Sequence, residues 1–242
     1  MPRRRQTRQK QQPRETFKDI VADSFKKERV TPRSPNQQDY IHSVKSNDII
    51  ICVGPPGTGK TRLSVGLGVE YLEAGKIDKI VITRPLVGAG EDPGALPGGV
   101  EQKIHPYLLP IFDEMKYFAS KSQVSEWKKS KTIDICPLAY TRGRTFKHSF
   151  VILDEAQNAT YAQIKMLVTR LGEGSKILIN GDVNQTDLNQ KQAGGLSTII
   201  DILDGLHGVK VCYFDKSDIV RHHLLKDVME RFEAHEQKQK KN

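Results

Sequence analysis

The stretch Ile49-Ile50-Ile51-Cys52-Val53-Gly54-Pro55-Pro56-Gly57-Thr58-Gly59-Lys60-Thr61 decides the fold of this 242-residue chain. Its first five residues are apolar and mostly β-branched, as in a buried strand. The remainder matches the phosphate-loop pattern G-x-x-x-x-G-K-[ST], and a helical pattern follows from Leu63 to Leu72. A strand, a glycine-rich turn and a helix in this order predict a nucleoside-triphosphate site. The alternative is a glycine-rich turn between a strand and a helix that binds nothing.

Each residue type of this loop has a chemical role in binding phosphate. The glycines let successive backbone N–H groups converge on one point, and the next helix adds its positive N-terminal end. Lys60 is expected to reach the β- and γ-phosphates of ATP, and the Thr61 hydroxyl to bind Mg²⁺. The predicted nucleotide-binding residues of the loop are Gly54, Pro55, Pro56, Gly57, Thr58, Gly59, Lys60 and Thr61.

The net charge of +9 is concentrated at the two ends of the chain. Residues 1–14 carry six basic side chains and no acidic one, and residues 237–242 carry three more. Residues 15–236 hold 29 basic and 29 acidic side chains and are formally neutral. We therefore predict one ATPase domain over residues 15–236 between two disordered basic tails. The tails either contact a nucleic acid or are only solvated.

The cysteine pattern and the hydropathy indicate the compartment. Cys52, Cys136 and Cys212 each lie in a predicted strand, without C-x-x-C spacing, which favours buried reduced thiols in a cytoplasmic protein. No apolar run is long enough to cross a bilayer, and the N-terminus lacks an apolar signal-peptide core. We expect a cytoplasmic protein with no membrane partner.

A second apolar strand, Phe150–Leu153, ends in the adjacent carboxylates Asp154 and Glu155. Asp154 is predicted to hold Mg²⁺, and Glu155 to polarise the attacking water. The strand Ile80–Thr83 lies between the phosphate loop and this pair in the sequence, an insertion that nucleotide kinases commonly lack. The acidic pair therefore favours ATP hydrolysis over a small-molecule kinase.

The rest of the chain alternates between strands and helices, which indicates an α/β fold with a mostly parallel sheet. Ligands bind at the carboxyl edge of such a sheet, so Gln185, after the strand 176–180, is a candidate γ-phosphate sensor. Gln37, ahead of the first strand, can read adenine through its amide or is an ordinary surface residue. Further predicted strands are 79–83, 132–136 and 209–214. Helices are predicted at 15–30, from Asn36, at 61–74, 106–119 and 161–171, and from Ser217. The helix 161–171 is expected to begin with a Thr160–Gln163 capping box and to end at Gly172. Residues 140–144 are predicted to form an exposed basic loop.

From about Thr31 to Phe232 the chain resembles the PhoH-like family of phosphate-starvation-inducible P-loop ATPases. The motifs that carry the resemblance are Ser34–Gln37, Gly54–Thr61, Ile82–Pro85, Pro137–Arg144, Leu153–Asn158, Gly181-Asp182 with Gln185, and Val220-Arg221-His222. The family is similar to the first ATPase core of superfamily 1 helicases and is linked to RNA metabolism. The resemblance implies a RecA-like P-loop NTPase with helices on both faces of the sheet. The chain departs from the family pattern at residues 93–98 and 106–110.

The same likeness implies roles for individual residues. Gln37 looks like the adenine-reading glutamine, and Asp154 with Glu155 looks like the Walker B pair. Gln185 looks like the helicase glutamine at the γ-phosphate. Thr83 and Arg84 look like the motif that touches the nucleic-acid backbone. Ring-shaped homo-oligomers are reported within the family, so a ring, with a hexamer as one size, is expected.

A single ATPase core raises the question of which arginine completes the site. Helicases of this type close ATP between two cores, so we predict that a neighbouring subunit supplies a catalytic arginine. The candidates are Arg221, Arg142 and Arg144; the alternative is that Arg221 pairs with Asp218 and the other two bind RNA. The predicted function is Mg²⁺-dependent ATP hydrolysis coupled to RNA or single-stranded nucleic acid. The alternative is an ATP-driven assembly switch that unwinds nothing.

Overall fold

Six β-strands and six α-helices are present in the parts of the chain that the computed structural model describes, residues 27–85, 100–188, 194–219 and 231, with only the backbone for 100–108. The strands are β1 (Ile49–Val53), β2 (Lys79–Arg84), β3 (Ile133–Pro137), β4 (Ser149–Leu153), β5 (Lys176–Gly181) and β6 (Val209–Tyr213). The helices are α1 (Pro35–Ser46), α2 (Lys60–Glu73), α3 (Val100–Phe118), α4 (Lys121–Lys129), α5 (Tyr161–Val168) and α6 (Gly195–Leu203). Short 3₁₀ turns follow β3 and β4 at Leu138–Thr141 and Ala156–Asn158, and another spans Lys216–Asp218.

The strands form one sheet in the order β3-β2-β4-β5-β1-β6, and every neighbouring pair is parallel. The predicted α/β fold is therefore confirmed. The strand that separates β1 from β4 in space is β5, whereas Ile80–Thr83 belongs to β2 on the far side of β4. This order defines a RecA-like domain and brings the carboxyl ends of β1, β5 and β4 side by side.

Apolar layers cover both faces of the sheet. On one face α1, α2 and α3 pack against the strands through residues such as Tyr40, Leu67 and Met115. On the other face α5 and α6 do the same through Ile164 and Ile199. The central strands are buried on both sides, which explains why their sequences are continuous apolar runs instead of alternating ones.

The predicted helix boundaries hold for α1 and α2 but not everywhere. The Thr160–Gln163 capping box of α5 is present, and Gly75 follows α2 with a φ of 64°. Helix α5 ends at Val168, so the predicted end at Gly172 is wrong, because the chain turns to form a bridge between Leu171 and Phe146. Helix α3 begins at Val100, earlier than the predicted residue 106.

Several predicted segments lie partly or wholly outside the described residues. Residues 27–30 are not helical, and the remainder of the predicted helix 15–30 lies outside. A 3₁₀ turn, Lys216–Asp218, stands where a helix from Ser217 was predicted, and the residues after 219 are outside except 231. The loop 87–99 and both basic tails also lie outside.

The three cysteines are buried and form no disulfide, as predicted. Burial raises the pKa of the Cys136 thiol to about 11, and it also raises the pKa values of Cys52 and Cys212. Across the described ranges, no helix combines the length and the apolar composition needed to cross a membrane.

Candidate active site

The phosphate loop leaves the centre of the sheet at the end of β1 and leads directly into α2. At Gly54 a Cβ atom would lie 2.6 Å from both Cβ and the carbonyl oxygen of Phe214, so only glycine fits there. Gly57 and Gly59 both have a φ of 83°, a left-handed conformation that side chains disfavour. These glycines turn the loop tightly enough to aim the N-terminus of α2 into the cavity described below.

The Lys60 ammonium is folded back onto the loop that carries it. Its Nζ donates hydrogen bonds to the carbonyl oxygens of Gly54 at 2.6 Å and Pro55 at 2.9 Å. Burial lowers the pKa of Lys60, while neighbouring acidic groups, Asp182 and Glu155 among them, act in the opposite direction. In this structure the loop carbonyls accept hydrogen bonds from Lys60 that phosphate oxygens could accept instead. The Lys60 amine is therefore already located at the phosphate loop.

Asp154 connects the phosphate loop to β2. Its Oδ1 accepts a hydrogen bond from the Thr61 hydroxyl at 2.9 Å. Its Oδ2 accepts from Nε and Nη2 of Arg84, at 2.9 Å and 2.5 Å. A hydroxyl and a carboxylate at this separation are both hard oxygen donors, the ligand type that Mg²⁺ requires. The residues present therefore fit a magnesium ion held by Thr61 and Asp154.

Glu155 stands at a strained position and is held by a side chain that sequence reasoning missed. It is exposed, with a φ of 55°, an uncommon conformation for a residue other than glycine. Gln157 Nε2 donates to Glu155 Oε2 at 2.7 Å, and Gln157 Oε1 accepts from the backbone N–H of Asp182 at 3.1 Å. The only sequence signal for Gln157 was its place in the Leu153–Asn158 motif.

A cavity of about 400 Å³ brings most of the predicted nucleotide site together. This volume lies within the usual range of small-molecule sites. The predicted residues among those that line it are Gln37, Pro56, Gly57, Gly59, Lys60, Thr61, Asp154, Glu155 and Gln185. Segments separated by more than a hundred residues in the sequence therefore meet in one site.

Gln37 is 3% exposed, so it is not the surface residue of the alternative. Its Oε1 accepts from the backbone N–H of Arg33 at 2.8 Å, and its Nε2 donates to the carbonyl oxygen of Thr58 at 3.0 Å. The amide therefore ties the segment before α1 to the phosphate loop. A primary amide carries two hydrogens on nitrogen, so a second donor is present for a base.

Residues 28–31 and Arg33 form a wall of the cavity that the sequence did not indicate. Arg62 of α2 forms ion pairs with Glu28 at 2.5 Å and Glu114 at 3.6 Å, and its guanidinium lies 3.9 Å from the Tyr117 ring centroid. Burial raises the pKa of Glu114. These contacts fasten the wall to α2 and α3 over long sequence separations, which no local motif could have revealed.

The residues predicted to contact nucleic acid differ in how far their side chains are exposed. Thr83 is 0% exposed and Arg84 pairs with Asp154, so neither side chain is presented to a nucleic acid in this structure. Arg142 is exposed on the turn after β3, whereas Arg144 pairs with Asp134 at 2.6 Å. The predicted exposed basic loop is thus only partly exposed, since Thr141 is buried. Arg221 lies outside the described residues.

A phosphate loop at the end of β1, a carboxylate at the end of β4 and β5 between these strands define a P-loop NTPase of the RecA-like class. The family model described as "PhoH-like protein" matches residues 29–233. The chain therefore belongs to the PhoH-like family, as the sequence motifs indicated.

Curated relatives support the same assignment. The PhoH-like protein of Synechocystis sp. is 42% identical over 219 residues, which cover 90% of this chain and 67% of that protein. The PhoH-like protein of Bacillus subtilis is 40% identical and is matched over 90% of this chain and 68% of its own length. Protein PhoH of Escherichia coli K12 is 38% identical, over 84% of this chain and 58% of its own length.

Solved structures with a similar chain path are more distant. The large terminase of a thermophilic bacteriophage superposes with a TM-score of 0.49 at 15% identity, over 83% of this chain and 50% of that one. The UvsW helicase of bacteriophage T4 gives a TM-score of 0.45 at 14% identity, over 84% of this chain and 69% of that one.

Proposed function

We propose that this protein hydrolyses ATP with Mg²⁺. The observation that carries the proposal is the 2.9 Å contact between the Thr61 hydroxyl and the Asp154 carboxylate, in a cavity that Lys60 and Glu155 also line. Thr61 and Asp154 would hold Mg²⁺, and the ion would supply positive charge that offsets the negative charge of the phosphates. A carboxylate one residue further on supplies a base for the attacking water, which a simple nucleotide-binding loop does not need.

Each predicted residue has a distinct task in this reaction. Lys60 exchanges the loop carbonyls for phosphate oxygens and holds them in ground state and transition state. Glu155 orients the attacking water and accepts its proton. Gln185, exposed at the cavity, senses the γ-phosphate, and Gln37 uses its remaining N–H to read adenine. This assignment separates residues that bind from residues that act only on the chemical step.

Two substitutions test the ATPase proposal. Lys60→Ala is expected to abolish nucleotide binding, while Glu155→Gln keeps binding and lowers turnover by about 10²- to 10⁴-fold. Dissociation constants from fluorescent-nucleotide titration and phosphate release, with Mg²⁺ or with EDTA, measure both effects. Glu126→Gln, at an exposed position on α4, is the matched control and should behave like the wild type. A Glu155→Gln variant that turns over at the wild-type rate contradicts the assignment.

We also infer that hydrolysis is coupled to RNA or another single-stranded nucleic acid. In support, Arg142 is exposed and Tyr140 is 54% exposed on the turn after β3, at the same sheet edge as the phosphate loop. An aromatic ring next to a guanidinium suits stacking on bases and contact with phosphate. The basic tails add electrostatic attraction.

Turnover with and without single-stranded RNA tests the coupling. Stimulation supports a nucleic-acid-dependent motor, whereas hydrolysis that RNA leaves unchanged favours the assembly switch. Deleting residues 1–14, which carry six basic side chains, should weaken RNA binding for all sequences and flatten its salt dependence. An unchanged salt slope assigns the tail no part in binding.

The proposed active form is a ring-shaped homo-oligomer in which a neighbour supplies an arginine to the ATP site. A heterologous contact repeated around a closed ring places one subunit's surface against the next subunit's site. The free, buried thiols support the expected cytoplasmic location.

A further inference from the structure

Two loops at the carboxyl edge of the sheet are joined by four side-chain hydrogen bonds. We name residues 154–158, after β4, the carboxylate loop, and residues 182–188, after β5, the sensor loop. The first carries Glu155 and the second carries Gln185, the two residues to which the proposed function assigns the water and the γ-phosphate. We propose that Gln157 and Asn158 are positioning residues that fix the sensor loop relative to Glu155. The inference rests on the proposed ATPase activity.

Gln157 contacts both loops through one amide group. Its Nε2 donates to the Glu155 carboxylate at 2.7 Å, and its Oε1 accepts from the Asp182 N–H at 3.1 Å. The Thr186 hydroxyl donates to the Gln157 carbonyl oxygen at 3.0 Å, so the backbone is held as well. An amide suits this place because it offers a donor to the carboxylate and an acceptor to the backbone N–H at the same time.

The close packing of Gly181 against Gln157 limits the movement of the Gln157 side chain. A Cβ atom at Gly181 would lie 3.1 Å from Gln157 Oε1 and 2.5 Å from Leu196 Cδ2. Gln157 is itself 9% exposed. Its amide therefore lies between the end of β5 and the Glu155 carboxylate and contacts both. These contacts couple the position of the sensor loop to that of Glu155.

Asn158 forms the second connection through a reciprocal pair with Asp187. Asn158 Nδ2 donates to Asp187 Oδ2, and the backbone N–H of Asp187 donates to Asn158 Oδ1, each at 2.9 Å. The pair is exposed, so it contributes little to overall stability. A contact of this kind sets the position of the sensor loop without being needed for folding.

The reciprocal pair allows a test by exchange of its two side chains. In Asn158→Asp two carboxylates face each other, and kcat should fall by about 10- to 100-fold, as for a small misplacement of a catalytic group. Asp187→Asn keeps a donor opposite an acceptor and should behave like the wild type. The double variant restores one amide opposite one carboxylate, so kcat should return to within about threefold of the wild type. The KM for ATP should stay within about twofold throughout, because the phosphate loop is untouched.

A double-mutant cycle tests the contact with Glu155. Gln157→Ala should lower kcat by a similar factor in the wild-type background but cause no further loss in Glu155→Gln, where the carboxylate that it positions is absent. Gln163→Ala, which removes another glutamine amide nearby from the α5 capping box, is the control and should lower stability but not kcat. Unfolding in urea checks that each variant is folded.

The outcomes separate this proposal from the function on which it rests. A wild-type rate for Glu155→Gln overturns the hydrolytic assignment and this proposal together. Loss of turnover in Glu155→Gln with full turnover in Asn158→Asp overturns this proposal alone. Failure of the double exchange to recover kcat, or a further loss from Gln157→Ala in Glu155→Gln, overturns it as well.

Discussion

At the scale of single residues, Arg84 neutralises the carboxylate that the proposed reaction assigns to Mg²⁺. The side chains of Arg84 and Asp154 are 14% and 3% exposed, and the shortest distance between them is 2.5 Å. Removing one partner from a buried ion pair leaves an uncompensated charge, which is far more damaging than loss of an exposed pair. A cation bound at Asp154 would also compensate the charge of this carboxylate, so it would replace Arg84 in that role.

Arg84→Gln should therefore lower the free energy of unfolding by about 3 kcal/mol in metal-free buffer. Millimolar Mg²⁺ should restore part of this loss in the variant and have a smaller effect on the wild type. Urea unfolding with Mg²⁺ and with EDTA measures both. Arg144→Gln is the control, because its pair with Asp134 is 30% exposed on each side and is worth about 1 kcal/mol or less. Equal losses in the two variants, or no response to Mg²⁺, contradict the argument.

The residues that the sequence identified are those whose spacing alone determines their place. Lys60 and Thr61 follow from the loop pattern, and Asp154 follows from the apolar strand before it. The partners of these residues could not be predicted, because Arg84 meets Asp154 only through the pairing of β2 with β4. Gln157 was missed for the same reason, since its acceptor role depends on the loop after β5.

At the scale of elements, apolar segments predicted every strand of the described sheet to within a residue or two, even where a charged residue interrupts the segment, as Asp134 does in β3 and Lys210 in β6. The order of the strands could not be deduced, because it depends on which helices cover which face. The end of α5 was missed because a bridge between Phe146 and Leu171, far apart in the chain, competes with further helix. Local caps were predictable, as the capping box at Thr160 shows.

The contact between α2 and α3 depends on a glycine. A Cβ atom at Gly66 would lie 2.6 Å from both Phe118 Cζ and Val30 Cγ2, so Gly66→Ala forces the helix and the cavity wall apart. We expect a loss of about 1–2 kcal/mol in the free energy of unfolding, after the gain in helix propensity, and weaker nucleotide binding. Urea unfolding and nucleotide titration measure these effects.

Gly68→Ala is the matched control on the same helix. Its added methyl group would meet Phe150 Cδ1 at 3.2 Å, a contact that small adjustments relieve. The structure predicts a smaller loss there and unchanged nucleotide affinity, because Phe150 does not line the cavity, whereas Val30 and Phe118, which the methyl group of Gly66→Ala would displace, do. If Gly66→Ala proves as stable as the wild type, the contact between α2 and α3 is looser than the distances indicate.

At the scale of the whole molecule, the described residues contain one P-loop core, whereas the proposed reaction calls for an arginine from outside it. An arginine supplied in trans is worth about 10³- to 10⁵-fold in turnover. Arg144 is already paired with Asp134, which leaves the exposed Arg142 as the better candidate on the turn after β3. Arg221, which lies outside the described residues, stays a candidate from the sequence alone. A ring supplies either residue to the neighbouring site.

Mixing variants tests whether the site is shared. Glu155→Gln and Arg221→Ala subunits should each be inactive alone. An equal mixture should recover about a quarter of wild-type turnover, because that fraction of random interfaces joins an intact glutamate to an intact arginine. The experiment is repeated with Arg142→Ala, and phosphate release is followed against mole fraction while light scattering reports the assembly. Glu155→Gln mixed with Lys60→Ala is the control and should stay inactive, since both residues belong to the same subunit's site. Full turnover in a strictly monomeric sample excludes an arginine in trans, because no neighbour is then present to supply it.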